Sequence, residues 1–355
     1  MRRLTYLLAV TAAVGVALFL VAAYLRARVP TPPAPVVVAP PAATTTASAP
    51  APAAPLPSAP TPLPASAPAA AGSAVGQIAA RAAASAALEG ALVNILCIAP
   101  AGSAFHSISA SGVVVTPSGY VLTSAHVAAY FLLADQGVSC VLRAGSPAKD
   151  AYTASLAYIS PDWVARDSAL LLEASPTDTG EYDFALLAIT GGASKAPLPS
   201  PLPFVPLAAA SPAAGDAVVV GSYGAQGLSA QAIETALSPT LVPGAVAELL
   251  TFDSTTPDVI AVAGSAAAEE GSSGGGVATL DGALAGSITT SSNTGSIASR
   301  TLSALSASYV RREYALETGS SLASLLAAPP RAAVGAFAAQ AAALEAILLA
   351  AARGR

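Results

Sequence analysis

Charge and chemically versatile side chains are scarce in this chain. Of its 355 residues only 10% are Asp, Glu, Lys or Arg, and it holds two histidines, two cysteines, one methionine and one tryptophan. Fifteen Lys and Arg against 20 Asp and Glu leave a formal net charge of −5, and beyond the extreme N-terminus the basic residues are scattered. A nucleic-acid surface needs clustered cations, so nucleic acid is not expected as a partner. Cys97 and Cys140 match no CxxC or CxxH spacing, and His106 and His126 are the only imidazoles. No metal site and no cofactor is expected on that supply of ligands. Apolar residues are plentiful at 54%, though much of this is alanine. Alanine buries little area, so a core must come from the Val, Leu and Ile runs. The length suits one large or two small domains.

The N-terminus speaks to compartment. Arg2 and Arg3 precede an uncharged stretch from Leu4 to Leu25, followed by Arg26 and Arg28. A helix of about 20 apolar residues spans a bilayer, whereas a cleavable signal peptide has an apolar region of roughly 7–15. Residues 1–28 therefore read as a short cytoplasmic stub and a single-pass signal-anchor, with the lipid bilayer as a partner through residues 4–25. The remainder of the chain is then extracytoplasmic. Positive charge is nearly balanced across the span and favours this orientation only slightly; a cleaved signal peptide is the alternative. Residues 29–72 are almost wholly Ala, Pro, Thr, Ser and Val. Such a segment cannot bury enough surface to offset its ordering entropy, and reads as a disordered spacer.

Residues 73–90 predict a helix, with Val75, Ile78, Ala79 and Ala82 at helical spacing and Gly90 as its stop. The texture then changes to short β-branched runs between turn signals. Strands are expected in ALVNILCIA (91–99), in both halves of GVVVTPSGYVLTSAHV (112–127) about a Pro117-Ser118-Gly119 turn, and in VSCVLRA (138–144). TASLAYI (153–159), DSALLLEA (167–174) and FALLAIT (184–190) read likewise. A proline-rich bridge (191–206) leads to DAVVVGSYG (216–224), a helix-or-strand run near Ile233 to Leu237, VAELLTF (246–252) and DVIAVAG (258–264). A hairpin, GVATLDGALAGSITTSS (276–292), follows, and its Asp281-Gly282 pair suits a primed turn. Many short strands in two halves, about 91–190 and 207–308, indicate an all-β fold of two barrels within a domain of residues 73–308. Residues 309–355 read as a helical tail with an amphipathic stretch from Arg331 to Arg353.

Acyl transfer by serine needs a hydroxyl, a base, an orienting carboxylate and amides aimed at the oxyanion. His126 ends the second strand of the 112–127 hairpin. Asp183 precedes an apolar strand in EYDFALLAI, with Asp167 in RDSALLLEA as its rival. Ser273 lies in Glu270-Gly271-Ser272-Ser273-Gly274-Gly275, whose glycines make it cheap to turn the amides of Gly271 and Ser273 to one oxygen. Each string alone has a plain reading: a structural histidine, a solvated strand end, a Gly/Ser linker. Their order is more telling, with His and Asp in one half and Ser in the other, as in chymotrypsin-type enzymes.

The 112–127 segment resembles the GVVI-P-GYILTNAHV element of HtrA-type trypsin-like serine proteases almost position for position. EGSSGGG resembles that family's GNSGGP loop, and DFALL its aspartate-bearing strand. The resemblance spans roughly residues 90–305. It implies two six-stranded, chymotrypsin-like β-barrels with the active site in the cleft between them, and protein or peptide substrates. It assigns His126, Asp183 and Ser273 as the triad and the backbone of Gly271, Ser272 and Ser273 as the oxyanion hole. It places Ala267 at the base of the specificity pocket, with Ser287, Ile288 and Thr289 lining it. Alanine at 267 offers nothing to a cation, so small or medium apolar P1 side chains are expected. In an extracytoplasmic domain Cys97 and Cys140 would form a disulfide, with two buried thiols as the alternative.

The chain also departs from the family. Ser272 replaces an Asn or Asp, Gly276 replaces a proline, and Glu269 and Glu270 would oppose a developing oxyanion unless turned away. The His–Asp separation implies an insertion within 144–182. His106 reads as a loop residue. The tail is too short for the PDZ domain such proteases usually carry. The expected function is a serine endopeptidase at the outer face of a membrane, in quality control or processing of envelope proteins. A catalytically inactive protease-like scaffold is the alternative that the two glutamates motivate.

Overall fold

The computed structural model describes residues 61–62, 74–173, 179–194, 197–252, 255–291 and 300–353. The expected membrane anchor lies outside them, as does the spacer apart from Thr61–Pro62. Those two residues differ from a free spacer: they pair as a short antiparallel strand with Thr251 and Leu250. Proline favours an extended backbone and tolerates a sheet edge, which suits that position.

Helix α1 (Ala74–Ala91) runs directly into β1 (Leu92–Ile98). Next come β2 (Ile108–Val114), β3 (Tyr120–Thr123), the short helix α2 (Ala125–Ala128), and a 3₁₀ segment over Ala129–Gln136. Strands β4 (Ser139–Ala144) and β5 (Lys149–Ile159) follow, then α3 (Pro161–Asp167) and β6 (Ala185–Gly192). These six strands close antiparallel in the order β1-β2-β3-β6-β5-β4. The second half holds β7 (Ala217–Ser222), α4 (Ala230–Ala236), β8 (Thr240–Thr251), β9 (Val259–Val262), β10 (Gly276–Thr279), β11 (Leu284–Ser291) and β12 (Leu302–Ser306). They close in the equivalent order β7-β8-β9-β12-β11-β10, because β8 pairs with both β9 and β7. The expected architecture of two six-stranded antiparallel barrels of chymotrypsin type is therefore present.

Each barrel is filled from one face of its strands. Val218, Val220, Ile260, Val262, Val277, Ile288 and Leu302 meet inside the second. Full burial of such a side chain is worth about 1.5–3 kcal/mol against exposure, which is what drives closure here. The β2–β3 turn forms as expected: Gly119 N–H donates to Thr116 O at 3.1 Å, and Gly119 has φ +101°. The β10–β11 turn is not the primed type. Gly282 alone has positive φ, and its N–H donates to Thr279 O, leaving a three-residue loop. That is a type I turn closed by a left-handed glycine, the other common solution for a twisted hairpin.

One other expectation changes, one open reading is resolved, and one strand is new. The run read as a strand at 167–174 is a 3₁₀ helix over Ser168–Leu172. A short apolar run has no period to separate helix from strand, and β5 and β6 already pair with each other. The ambiguous run near Ile233 is helical. Strand β12 was not foreseen.

Outer helices fix the barrels. Leu88 of α1 is fully buried, and side chains on Gly221 of β7 or Gly276 of β10 would sit 2.8 Å and 3.2 Å from its atoms. The glycine at 276 thus keeps room for α1 between the barrels, since its Cβ would also approach Val113 of β2 to 3.0 Å. The bridge zips along both: Leu202 and Val205 donate to Pro117 and Val114 of the first barrel, and Leu284 of the second donates to Pro206. C-terminal α5 (Ala307–Thr318), α6 (Leu322–Ala327) and α7 (Pro330–Arg353) complete the chain. Among the described residues α7 is the helix long and apolar enough to cross a membrane, by length and composition (mean hydropathy 1.8). Its buried stripe of Ala333, Phe337, Leu344 and Leu348 recurs at helical spacing, and Phe337 lies 5.9 Å from the Tyr158 ring of β5.

Candidate active site

Three chain reversals bring the motif residues to the junction of the barrels. At the end of β3, Ser124 stays extended and α2 begins, so His126 leaves the barrel on its first turn with its side chain 30% exposed. Asp183 enters from the loop before β6, where the preceding Tyr182 has φ +62°. Left-handed backbone is costly for a bulky residue, of order 1–3 kcal/mol, and persists only when its surroundings hold it. Here the Tyr182 N–H donates to Tyr309 Oη of α5, and Tyr182 O accepts from Phe184 N–H.

The Asp183 carboxylate is fully enclosed. Oδ1 accepts from the His126 backbone N–H at 2.9 Å, and Oδ2 lies 2.9 Å from His126 Nδ1. Thr289 of β11, on the other barrel, donates its hydroxyl to Oδ2. Burial pushes the Asp183 carboxyl up, but the His126 charge and these three hydrogen bonds outweigh it and hold the group below its ordinary value. An ionised carboxylate only accepts, so Nδ1 carries the proton and Nε2 of a neutral ring is left as the base. The rival Asp167 makes no hydrogen bond to His126. It sits at the start of the 3₁₀ segment, where burial raises its carboxyl, Arg166 lowers it, and Asp183 and Glu181 raise it further. His106 is exposed in the β1–β2 loop.

The loop of Ser273 is gripped by the first barrel. Ser273 O accepts from Ser111 N–H at 2.9 Å, and Gly271 O from Ser111 Oγ at 2.8 Å. Gly274 N–H and Ser124 Oγ converge on Ile288 O, at 2.7 Å and 3.0 Å. Glu269, Glu270 and Ser272 carbonyls accept from Ser272, Ala225 and Gly275. Every carbonyl from 269 to 273 is thereby occupied. The N–H groups of Gly271 and Ser273 have no hydrogen-bond partner among the described residues, which leaves two adjacent donors for an anion. Ser272, expected beside them, differs: its N–H is spent on Glu269 O, closing the turn. Its side chain braces the loop instead, donating to Ala267 O at 2.5 Å and accepting from Ser222 Oγ at 3.1 Å. A serine thus does the bracing where the family carries an amide or acid.

The four residues expected to line the pocket are all buried. Ala267 is buried and its carbonyl engaged. Ile288 uses both main-chain groups within the chain, and Thr289 serves Asp183. Ser287 Oγ is buried without a hydrogen-bond partner among the described residues. Glu269 packs onto Gly224, leaving no room there for a side chain, and Glu270 is exposed. Burial raises the Glu269 carboxyl and Arg300 partly lowers it again. Cys97 and Cys140 face each other across β1 and β4 and are joined as a disulfide. Thr289, Ser111 and Tyr182 are the contributors that sequence reasoning did not assign to these roles.

Residues 110–286 match the family described as "Trypsin-like peptidase domain". Among solved structures the chain is similar to the Rv3671c protease from M. tuberculosis in its active form, at 22% identity and a TM-score of 0.42 over 67% of this chain and 85% of that one. An inactive form of the same protease gives 22% and 0.42 over 66% and 93%. No match is found among curated proteins.

Proposed function

We propose that this chain, which carries a trypsin-like peptidase domain, is a serine endopeptidase working through His126, Asp183 and Ser273. The observation that carries the reading is the buried Asp183 carboxylate holding His126 Nδ1, beside a Ser273 loop whose Gly271 and Ser273 amides remain unspent. Ser273 Oγ attacks the substrate carbonyl carbon while His126 Nε2 takes its proton. The oxygen becomes an oxyanion and accepts from the two amides, each of which is worth roughly 10²–10³ in rate. The imidazolium, stabilised by Asp183, then protonates the departing amine. Water repeats the sequence on the acyl-enzyme and releases the acid.

The inactive-scaffold reading rested on Glu269 and Glu270. Packing of Glu269 on Gly224 and exposure of Glu270 weaken that objection. The uncharged stretch from Leu4 to Leu25 supports anchorage with the enzyme extracytoplasmic, and the disulfide suits an oxidising compartment. Such a position fits quality control or processing of envelope proteins. Fluorophosphonate labelling of the full chain is the test, comparing wild type with Ser273→Ala and His126→Ala. Labelling confined to wild type is expected; a folded wild type that takes up no probe would restore the scaffold reading.

A further inference from the structure

Arg300 stands just ahead of β12 and is 9% exposed, yet it makes no ion pair among the described residues. Nη1 donates to Gln226 Oε1 at 2.7 Å and to Ala268 O at 3.2 Å. Its carbonyl accepts from Ser265 N–H at 3.2 Å. Among the described residues the buried Nε has no hydrogen-bond partner, and Nη2 donates no hydrogen bond. Arg143 shows what a merely structural buried arginine looks like in this fold. It is 2% exposed, and its two terminal nitrogens reach four oxygens, of Asn94, Ile233, Ala148 and Glu234. Burying a cation without a counter-charge is expensive, and neutral acceptors on one nitrogen compensate little of that. The edge left open, Nε with Nη2, is one that binds a carboxylate through two parallel hydrogen bonds. Glu269 is near enough to feel the charge but lies on Gly224, beyond ion-pair distance.

The location gives this edge a use. Arg300 is hydrogen-bonded at both ends to the segment Ser265–Ala268, and Ala267 O in that segment is held by Ser272, next to the nucleophile. The segment leads directly into the Ser273 loop and is tied to it by Ser272, so it is the stretch of chain within reach of a side chain whose carbonyl meets Ser273 Oγ. On the protease reading above, we propose that Arg300 makes the site select an acidic side chain, Asp or Glu, at the substrate position whose carbonyl Ser273 attacks. Ala267 contributes no charge to that site; the charge comes from Arg300, just ahead of β12. The apolar preference expected from Ala267 alone is replaced by an acidic one, while the exclusion of Lys and Arg stands.

The test uses the full chain in detergent. Fluorophosphonate labelling first establishes an activated serine. Values of kcat/KM are then measured for tetrapeptide anilides that differ only in ending with Glu, Gln, Leu or Lys. The isosteric Glu and Gln pair should separate by roughly 10- to 100-fold in favour of Glu, the range of a charge-assisted hydrogen bond. Arg300→Gln should bring the ratio near one, and Arg300→Lys should keep part of it, with circular dichroism reporting that both fold. A labelled wild type that cleaves the Gln or Leu anilide as fast as the Glu anilide overturns the assignment and leaves the protease reading intact. Arg300→Gln that keeps the wild-type ratio does the same. A wild type that neither labels nor cleaves sinks the protease reading and the proposal with it.

Discussion

Replacing Thr289 by valine removes one hydroxyl and keeps the shape of the side chain. The Asp183 carboxylate it serves is 1% exposed and is held by two donors from His126 and this one from the opposite barrel. A hydrogen bond to a charged group contributes about 1.5–3 kcal/mol, and leaving the acceptor dry puts the loss toward the upper end. We therefore expect Thr289→Val to unfold about 2–3 kcal/mol more easily than wild type at pH 7. The loss should depend on pH with a definite sign. The folded carboxyl lies below its ordinary value, so its contribution is complete above the unfolded pKa of about 3.9 and fades as pH falls through the folded pKa. Urea unfolding of wild type, Thr289→Val and Thr289→Ser at pH 7 and near pH 2 reads this directly. The gap between wild type and valine should shrink in acid, and serine should restore most of it. Activity should drop only about tenfold, because His126 Nδ1 still has its carboxylate; Asp183→Asn, which spoils the tautomer, should cost about 10⁴. An equal gap at both pH values, or one under about 0.5 kcal/mol at neutrality, would refute the placement of this hydroxyl on an ionised carboxylate.

Gly274 has φ +81°, and a Cβ there would lie 2.1 Å from Ser111 O and 2.2 Å from Thr123 Oγ1. Gly274→Ala should push the Ser273 loop off the first barrel and abolish fluorophosphonate labelling in a chain that still folds; near-normal labelling would show that the grip is dispensable. The Cys97–Cys140 bond closes a loop with a sequence separation of 43. On loop-closure entropy its removal in Cys97→Ala/Cys140→Ala should cost roughly 4 kcal/mol, measured by urea unfolding; a loss under about 1 kcal/mol would mean that the unfolded chain is little constrained by it.

Much of the first barrel's site half was legible because its signals are local. Alternating β-branched residues, a Pro-Ser-Gly turn and a histidine at a strand end lie within 112–127, and hairpin geometry follows from such neighbours. The glycine density of 271–276 marked the loop of Ser273 for a similar reason. Other elements carry no local mark. Strand β12, LSALS, has no β-branched residue and only small side chains between its leucines, and it exists because β9 and β11 leave a gap between them. The 3₁₀ run Ser168–Leu172 satisfies a strand's composition but has no free edge to join. Thr289 reads as one hydroxyl among many in SITTSS. Only the approach of β11 to Asp183 distinguishes it, across a sequence separation of 106.

That separation bears on how the site comes into being. The proposed nucleophile Ser273 and the two unspent amides belong to the second barrel, yet the loop takes its shape from Ser111 and Ser124 of the first. His126 and the Asp183 carboxylate belong to the first barrel, yet the carboxylate is completed by Thr289 of the second. Tyr182, strained beside Asp183, is held by Tyr309 from the helix that follows β12. Neither barrel closed on its own satisfies its half of the constellation, because each leaves polar groups that only the other can pair. On the proposed reading, activation of Ser273 is therefore a property of the docked pair. Substitutions far from His126 and Ser273 that loosen docking should lower labelling before they lower the stability of either barrel.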